Sequence, residues 1–198
     1  MKQEGRNEKG FTLIELIVAI AIIGILSGIG FVALRAGGSQ LALDRAAHQV
    51  AQDIRRAMGY TLEARPDPGL CTGANEKFIG YGIRFHYVNT PTSYMIFANC
   101  KNTSNDKEIV KELETVNLDK GVKVSNIQFT PGPVGDPTPF RGTRISFRPP
   151  DPTTQISWDH TNNNVNERDE VALTLQLEGN PSQTRTVTVT NKGVIEIQ

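Results

Sequence analysis

Hydrophobic residues are distributed unevenly along the chain, and the longest apolar run lies close to its N-terminus. Residues 16–34 contain no charged residue and no proline. A helix of this length spans roughly 28 Å, which is close to the thickness of a bilayer core. Many of these residues are β-branched, but a backbone in lipid must satisfy its own hydrogen bonds and therefore forms a helix. We predict a transmembrane or assembly helix over residues 11–35.

Helical periodicity continues beyond this run. Apolar residues recur every three or four positions, at Leu43, Ala47, Val50, Ile54, Ala57, Met58 and Leu62. The other side of the helix is polar, at Asp44, Arg45, Gln49, Gln52, Asp53, Arg55 and Arg56. The pattern predicts an amphipathic helix over residues 36–65, which ends at Pro66 because proline cannot continue a helix. A kink or short break is expected at the glycine pair Gly37-Gly38.

After residue 66 the hydrophobic period changes from helical to alternating. Apolar residues alternate over 81–87, 94–98, 122–124, 145–147, 171–177, 187–189 and 195–197. This predicts five to seven antiparallel strands in a head over residues 66–198, with pattern-poor loops at 131–139 and 149–169. The predicted fold class is α+β. A long N-terminal helix, with a transmembrane half and an amphipathic half, packs on an antiparallel β-rich globular head.

The charged residues around the apolar run help to distinguish a signal peptide, a membrane anchor and other kinds of membrane segment. Residues 1–10 form a leader in which Lys2, Arg6 and Lys9 favour a cytoplasmic N-terminus. A secretory signal peptide has a shorter apolar region that ends in a small-residue cleavage site. A plain membrane anchor fits the length but does not explain Glu15. A carboxylate in hydrocarbon costs several kcal/mol unless it is paired, so Glu15 is a functional candidate.

The segment Lys9-Gly10-Phe11-Thr12-Leu13-Ile14-Glu15-Leu16 resembles the prepilin signature of type IV pilins and type II secretion pseudopilins. The resemblance implies that a prepilin peptidase cuts between Gly10 and Phe11 and that Phe11 is then N-methylated. It also implies that Glu15 sets the register between assembled subunits. The implied location is the inner (cytoplasmic) membrane, crossed once with an extracytoplasmic head, and later a pilus or pseudopilus filament. The implied partners are the peptidase, other pilin subunits, an inner-membrane assembly platform and, before assembly, membrane lipid.

The order of elements in the head indicates which type of pilin the chain resembles. A helix that ends over Asp53–Arg65, then strands and a terminal hairpin at Gly193-Val194-Ile195, is similar to minor pilins and pseudopilins of the GspH/FimT type. Such subunits start or cap a filament. The alternative is a minor pilin whose loops bind DNA, a surface or a secreted cargo. Lys+Arg and Asp+Glu both total 21, and this zero net charge makes a nucleic-acid partner unlikely. A basic stripe in the structure would favour DNA, and an apolar or aromatic patch would favour a protein.

Two cysteines are too few for a cysteine-based zinc site. Cys71 and Cys100 flank a polar region, and they form either one disulfide or two unrelated buried thiols. The apolar run indicates export, and export favours the disulfide.

The sequence gives no evidence of catalysis or of a cofactor. His48, His86 and His160 are far apart, and no motif of a hydrolase, nucleotide-binding or zinc enzyme occurs. A membrane-anchored enzyme is therefore the weaker alternative. Four carboxylates could hold calcium, but they lack EF-hand spacing, so a solvated loop is the simpler interpretation; they are Asp159, Glu167, Asp169 and Glu170. We expect no metal site and no enzymatic activity.

Overall fold

The computed structural model describes residues 11–63, 69–86, 88–130, 142–149, 153–158 and 168–198, without the side chains of residues 28–37 and Trp158. The leader over 1–10, the predicted loop at 131–139, most of the loop at 149–169 and the predicted helix end at residue 65 lie outside these residues. The described residues divide into two compact units, the first ending at Ser39 and the second running from Gln40 to Gln198. One helix contributes residues to both units.

This helix, α1, runs over Leu13–Leu62. Its backbone is helical through Gly37 and Gly38, where a break was expected. In the second unit its core-facing residues are almost fully buried; they are Leu43, Ala46, Ala47, Val50, Ala51, Ile54 and Ala57. This confirms the predicted apolar stripe up to Ala57. Met58 is only partly buried, and Leu62, the last residue of the helix, is 53% exposed.

Nine strands form two antiparallel sheets in the described residues. Sheet A has the order β3-β2-β1-β5-β6, and sheet B has the order β4-β7-β8-β9. The strands are β1 (Glu76–His86), β2 (Thr90–Asn102), β3 (Glu108–Asn117), β4 (Val122–Thr130), β5 (Thr143–Arg148), β6 (Thr153–Trp158), β7 (Glu170–Leu177), β8 (Asn180–Thr190) and β9 (Ile195–Ile197). The α+β fold class with an antiparallel β-rich head is therefore confirmed.

The sequence pattern missed two strands, and both lie at the edges of sheet A. β3 carries four charged residues, and β6 lies in the segment that was predicted to be a loop. An edge strand needs fewer apolar residues than a central strand, and charges on it protect the sheet from pairing with another chain. The expected number of five to seven strands was therefore too low.

The inner faces of both sheets and the buried face of α1 share one core. Sheet A contributes residues such as Ile83, Phe85 and Phe147, and sheet B contributes residues such as Leu173 and Leu175. All five are fully buried. The amphipathic half of the helix therefore covers the apolar sides of the strands, as the sequence predicted.

Polar contacts fix the register of this half of the helix against both sheets. The Tyr94 hydroxyl donates a hydrogen bond of 2.6 Å to Asp53 Oδ2, and burial together with this bond raises the pKa of Tyr94. Arg56 forms an ion pair with Glu114 on β3. Arg185 Nε on β8 donates to Asp44 Oδ1 over 2.6 Å.

Candidate functional site

The N-terminal segment of α1 presents a long apolar surface. Phe11 is 86% exposed, and the large apolar residues from Leu13 to Leu26 are each at least 50% exposed. A soluble monomer rarely exposes a continuous apolar surface of this size. The segment is therefore suited to lipid or to the apolar surface of a partner.

Thr12 defines where the helix begins. The backbone N–H of Glu15 donates to Thr12 Oγ1 over 3.4 Å, and the N–H of Leu16 donates to the Thr12 carbonyl over 3.2 Å. Thr12 is thus the N-cap residue, and Leu13 is the first residue of the helix. The sequence reasoning missed this role, although Thr-x-x-Glu is the spacing of a capping box.

Glu15 lies in the first turn of α1 and is exposed. A carboxylate in the first turn interacts favourably with the positive end of the helix dipole. Its position also leaves it accessible to a positive charge on another molecule. Glu15 therefore combines a favourable position in the helix with an exposed charge.

Among the described residues, no helical stretch is both long enough and apolar enough to cross a membrane. The span predicted from the sequence covers residues 11–35, and the side chains of residues 28–35 lie outside the description.

Comparison with known protein families identifies this segment. A family model described as the prokaryotic N-terminal methylation motif matches residues 5–31. The chain carries the type IV prepilin signature. The match includes Gly10, Phe11 and Glu15 and does not reach the second unit. No curated protein and no solved structure gives a significant match to the chain.

Two of the predicted site residues, Phe11 and Glu15, lie at the start of the helix. Phe11 precedes the N-cap, Glu15 is the third helical residue, and Gly10 lies outside the described residues. The family of this motif is a family of structural proteins rather than enzymes. The motif thus supports a type IV pilin-like prepilin, which is a substrate for processing.

The predicted disulfide is present. Cys71 and Cys100 are bonded, with their Cα atoms 5.6 Å apart. Cys100 is fully buried in β2, so the bond ties the connection between α1 and β1 to the interior of sheet A. Disulfides persist in oxidising compartments and are rare in the reducing cytosol.

The described residues contain no group of three or more histidine, cysteine or carboxylate side chains that could hold a metal ion. Of the carboxylates considered for calcium, Asp169 and Glu170 are described, whereas Asp159 and Glu167 are not. Asp169 Oδ1 accepts a hydrogen bond of 2.8 Å from Asn191 Nδ2. Asp169 is therefore engaged in the packing of a turn.

The outer face of sheet A carries a group of arginines that sequence reasoning missed. Arg84, Arg144 and Arg148, here called the basic face, alternate along β1 and β5 with buried core residues and therefore point away from the core. Arg84 and Arg144 are direct register partners. These strands are far apart in the chain, so only the sheet register reveals the group.

Glu108 contacts two arginines of the basic face, Arg144 and Arg148. Its carboxylate forms an ion pair with Arg148, lies 3.9 Å from Arg144 Nη1, and accepts a hydrogen bond of 3.0 Å from Asn99 Nδ2. Glu108 is on β3, so it reaches across β2 and β1 to meet arginines on β5. Arg144 also lies over the ring of Phe97, with its Cζ 5.8 Å from the centroid.

Proposed function

We propose that the protein is a structural subunit of a type IV pilus or of a type II secretion pseudopilus and assembles through its N-terminal helix. The observation that carries the proposal is the methylation motif over residues 5–31, which is continuous with an exposed apolar helix starting at Leu13. A catalytic protein needs neither feature. A filament subunit needs both, because the motif directs processing and the apolar helix supplies the surface for assembly.

In this proposal a prepilin peptidase cuts between Gly10 and Phe11. Glycine has no side chain to obstruct the approach of the peptidase to the backbone. The cut removes Lys2, Arg6 and Lys9, so the helix can leave the membrane end-first. It also creates an α-amino group on Phe11, and this group remains cationic after N-methylation.

The amino group of Phe11 then pairs with the Glu15 carboxylate of a neighbouring subunit. The exposure of Glu15 in the first turn supports this role. A buried ion pair adds little net stability, because desolvation offsets the attraction between the charges. It does penalise any alignment that leaves the charges apart, so the pair sets the axial register of the filament.

We also propose that the subunit crosses the inner membrane once, with the head on the extracytoplasmic side, before it enters the filament. The disulfide between Cys71 and Cys100 supports an oxidising location for the head. While the subunit is in the membrane, its proposed partners are the prepilin peptidase, other pilins, membrane lipid and an assembly platform in the inner membrane. The similarity of its layout to the GspH/FimT type favours a minor subunit that starts or caps the filament.

The first test is the intact mass and N-terminal sequence of the protein from membranes of a host with its own prepilin peptidase. A mature chain that begins at N-methylated Phe11 is the expected result. The matched control is the same host without the peptidase, in which the chain should begin at Met1. A chain that begins at Met1 in both hosts contradicts the proposal.

A second test isolates the role of Glu15. Glu15→Val should leave membrane insertion and cleavage after Gly10 intact but strongly reduce incorporation into filaments, because the Phe11 amino group loses its partner. Glu63→Val is a matched control, since Glu63 is also an exposed glutamate but lies beyond the end of α1. Normal filament incorporation of the Glu15→Val variant would rule out the register role.

A second candidate function is a binding module within the filament, and the basic face is the observation that favours it. A stripe of arginines is suited to the phosphates of DNA. The balanced charge of the chain and the carboxylate of Glu108 within the stripe weaken this candidate. A gel-shift assay with duplex DNA at two salt concentrations tests it, because phosphate contacts give binding that falls steeply with salt.

A further inference from the structure

The two cysteines of the disulfide differ in their accessibility. Cys100 is fully buried in β2, and the three residues before it, 97–99, are buried as well. Cys71 is only partly buried, and the four residues that follow it, 72–75, are exposed. A second protein can therefore approach the bond from the side of Cys71, whereas Cys100 is enclosed in the folded head.

The contacts that bring the two cysteines together are local. Phe78 on β1 is the register partner of Cys100 on β2. Before β1, the Asn75 carbonyl accepts a hydrogen bond of 2.8 Å from the Thr103 N–H, which holds the loop that carries Cys71 against the end of β2. These contacts all lie within residues 71–103 and need neither α1 nor sheet B. Local contacts form early in folding, so the cysteines can meet before the head closes.

The geometry also favours one order of reaction. A disulfide forms when a thiolate attacks another disulfide and passes through a mixed disulfide. A mixed disulfide on Cys100 would place the attached protein in the interior of the head, where it would obstruct the packing of β2. A mixed disulfide on Cys71 leaves β1 and β2 free to pair, because Cys71 precedes both strands. Pairing of these strands then brings Cys100 towards Cys71.

We infer that an extracytoplasmic thiol oxidase, a protein that carries a reactive disulfide of its own, forms this bond and engages Cys71 first. The Cys71 thiolate attacks one sulfur of the oxidase disulfide, and the other oxidase sulfur leaves as a thiolate. The Cys100 thiolate then attacks the Cys71 sulfur and releases the oxidase. The oxidase leaves as a dithiol with two electrons and, through solvent, the two thiol protons. This inference rests on the proposed function, because the head must reach the extracytoplasmic side.

The deciding experiment uses the wild-type full-length chain in a host whose thiol oxidase carries a tag. Exchange is stopped within seconds of synthesis by acid and a thiol-blocking reagent, and the tagged oxidase is captured with any chain bound to it. Lys77 and Arg84 place the two cysteines on different tryptic peptides, so mass spectrometry shows which one is attached. Cys71 should exceed Cys100 at least about fivefold among the mixed disulfides. Equal amounts, or an excess of Cys100, would overturn the inference.

A host without the oxidase is the control for the partner. The Cys71–Cys100 bond should form at least about tenfold more slowly there, because the oxidant is missing. Formation at the wild-type rate would contradict the inference. In the same host the thiols stay free, and a maleimide joined to a large polymer should label Cys71 before Cys100. Equal labelling would refute the argument from accessibility.

A pair of variants tests the second step. Cys100→Ser should accumulate the mixed disulfide at least about fivefold above the wild type, because the thiolate that releases the oxidase is missing. Cys71→Ser is the matched control and should show no such increase. An equal increase in both variants would contradict the proposed order. The peptide map of the wild-type chain does not depend on whether either variant folds.

Cleavage after Gly10 is followed in the same membranes by N-terminal sequencing. A chain that still begins at Met1 counts against the filament role. A chain that begins at Phe11 but is attached to the oxidase mainly through Cys100 counts against this order of oxidation alone.

Discussion

Removal of the disulfide between Cys71 and Cys100 should destabilise the head strongly. The bond joins residues 29 positions apart, and a crosslink over this separation restricts the unfolded chain by about 12 cal/mol/K in the loop-closure model. At 25 °C this corresponds to about 3.5 kcal/mol of unfolding free energy. For a protein of this size the loss lowers the melting temperature by about 7–14 °C. Because Cys100 is fully buried, its replacement adds a small packing cost.

The assay is thermal unfolding of the mature full-length protein in detergent, followed by near-ultraviolet circular dichroism. Cys71→Ala combined with Cys100→Ala gives the total loss. Reduction of the wild-type protein gives the loss without a change in side-chain volume, so the difference between the two isolates the packing cost. The reasoning is refuted if reduction is complete and the melting temperature falls by less than about 2 °C, because the chain would then gain no stability from the crosslink.

Four further predictions follow from local contacts. Gly82→Ala should cost at least about 2 kcal/mol of unfolding free energy, because the Cβ of the new alanine would lie 2.5 Å from the Ile145 carbonyl oxygen and 2.5 Å from the ring of Phe97. Gly179→Ala is the control, because a Cβ added there meets no atom within 4 Å. Tyr94→Phe should cost about 1–3 kcal/mol by denaturant unfolding, because Asp53 loses its donor. The raised pKa of Tyr94 makes the stability of the fold depend on pH: the contribution of the protonated hydroxyl is complete below about pH 10 and declines above that value, because the unfolded chain then releases the proton more readily than the folded protein. Absorbance at 295 nm should therefore show one tyrosine that ionises at higher pH than the others. Thr12→Val should speed amide exchange at Glu15 about fivefold, because the helix loses its cap, whereas Thr12→Ser should not.

The helix and the core of the head could be predicted from the sequence because their signals are local. The spacing of Leu43, Val50 and Ile54 alone indicates the buried side of α1, and all three are buried. The alternating pattern of β7 also predicts its buried positions, from Val171 to Leu177. In both cases the pattern arises because one side of the element meets the core.

The missed elements have signals that are not local. β3 and β6 lie at the edges of sheet A, so pairing with a neighbouring strand holds them more than burial does. The basic face escaped notice because Arg84 and Arg144 lie 60 positions apart in the numbering and meet only through the register of β1 with β5. No short stretch of the sequence contains both arginines, so a local pattern cannot show that they are neighbours.

The methylation motif and the surface charges of the head lie in different parts of the chain. The prepilin signature is confined to residues 5–31, so the proposed processing and helical assembly would depend on a short continuous segment. The charges on the outer faces of the sheets occupy positions such as Arg84 and Glu196, whose side chains point away from the core. A substitution at such a position changes the surface charge of the head and leaves the core packing in place. The surface of the head can therefore change independently of the segment that carries the prepilin signature.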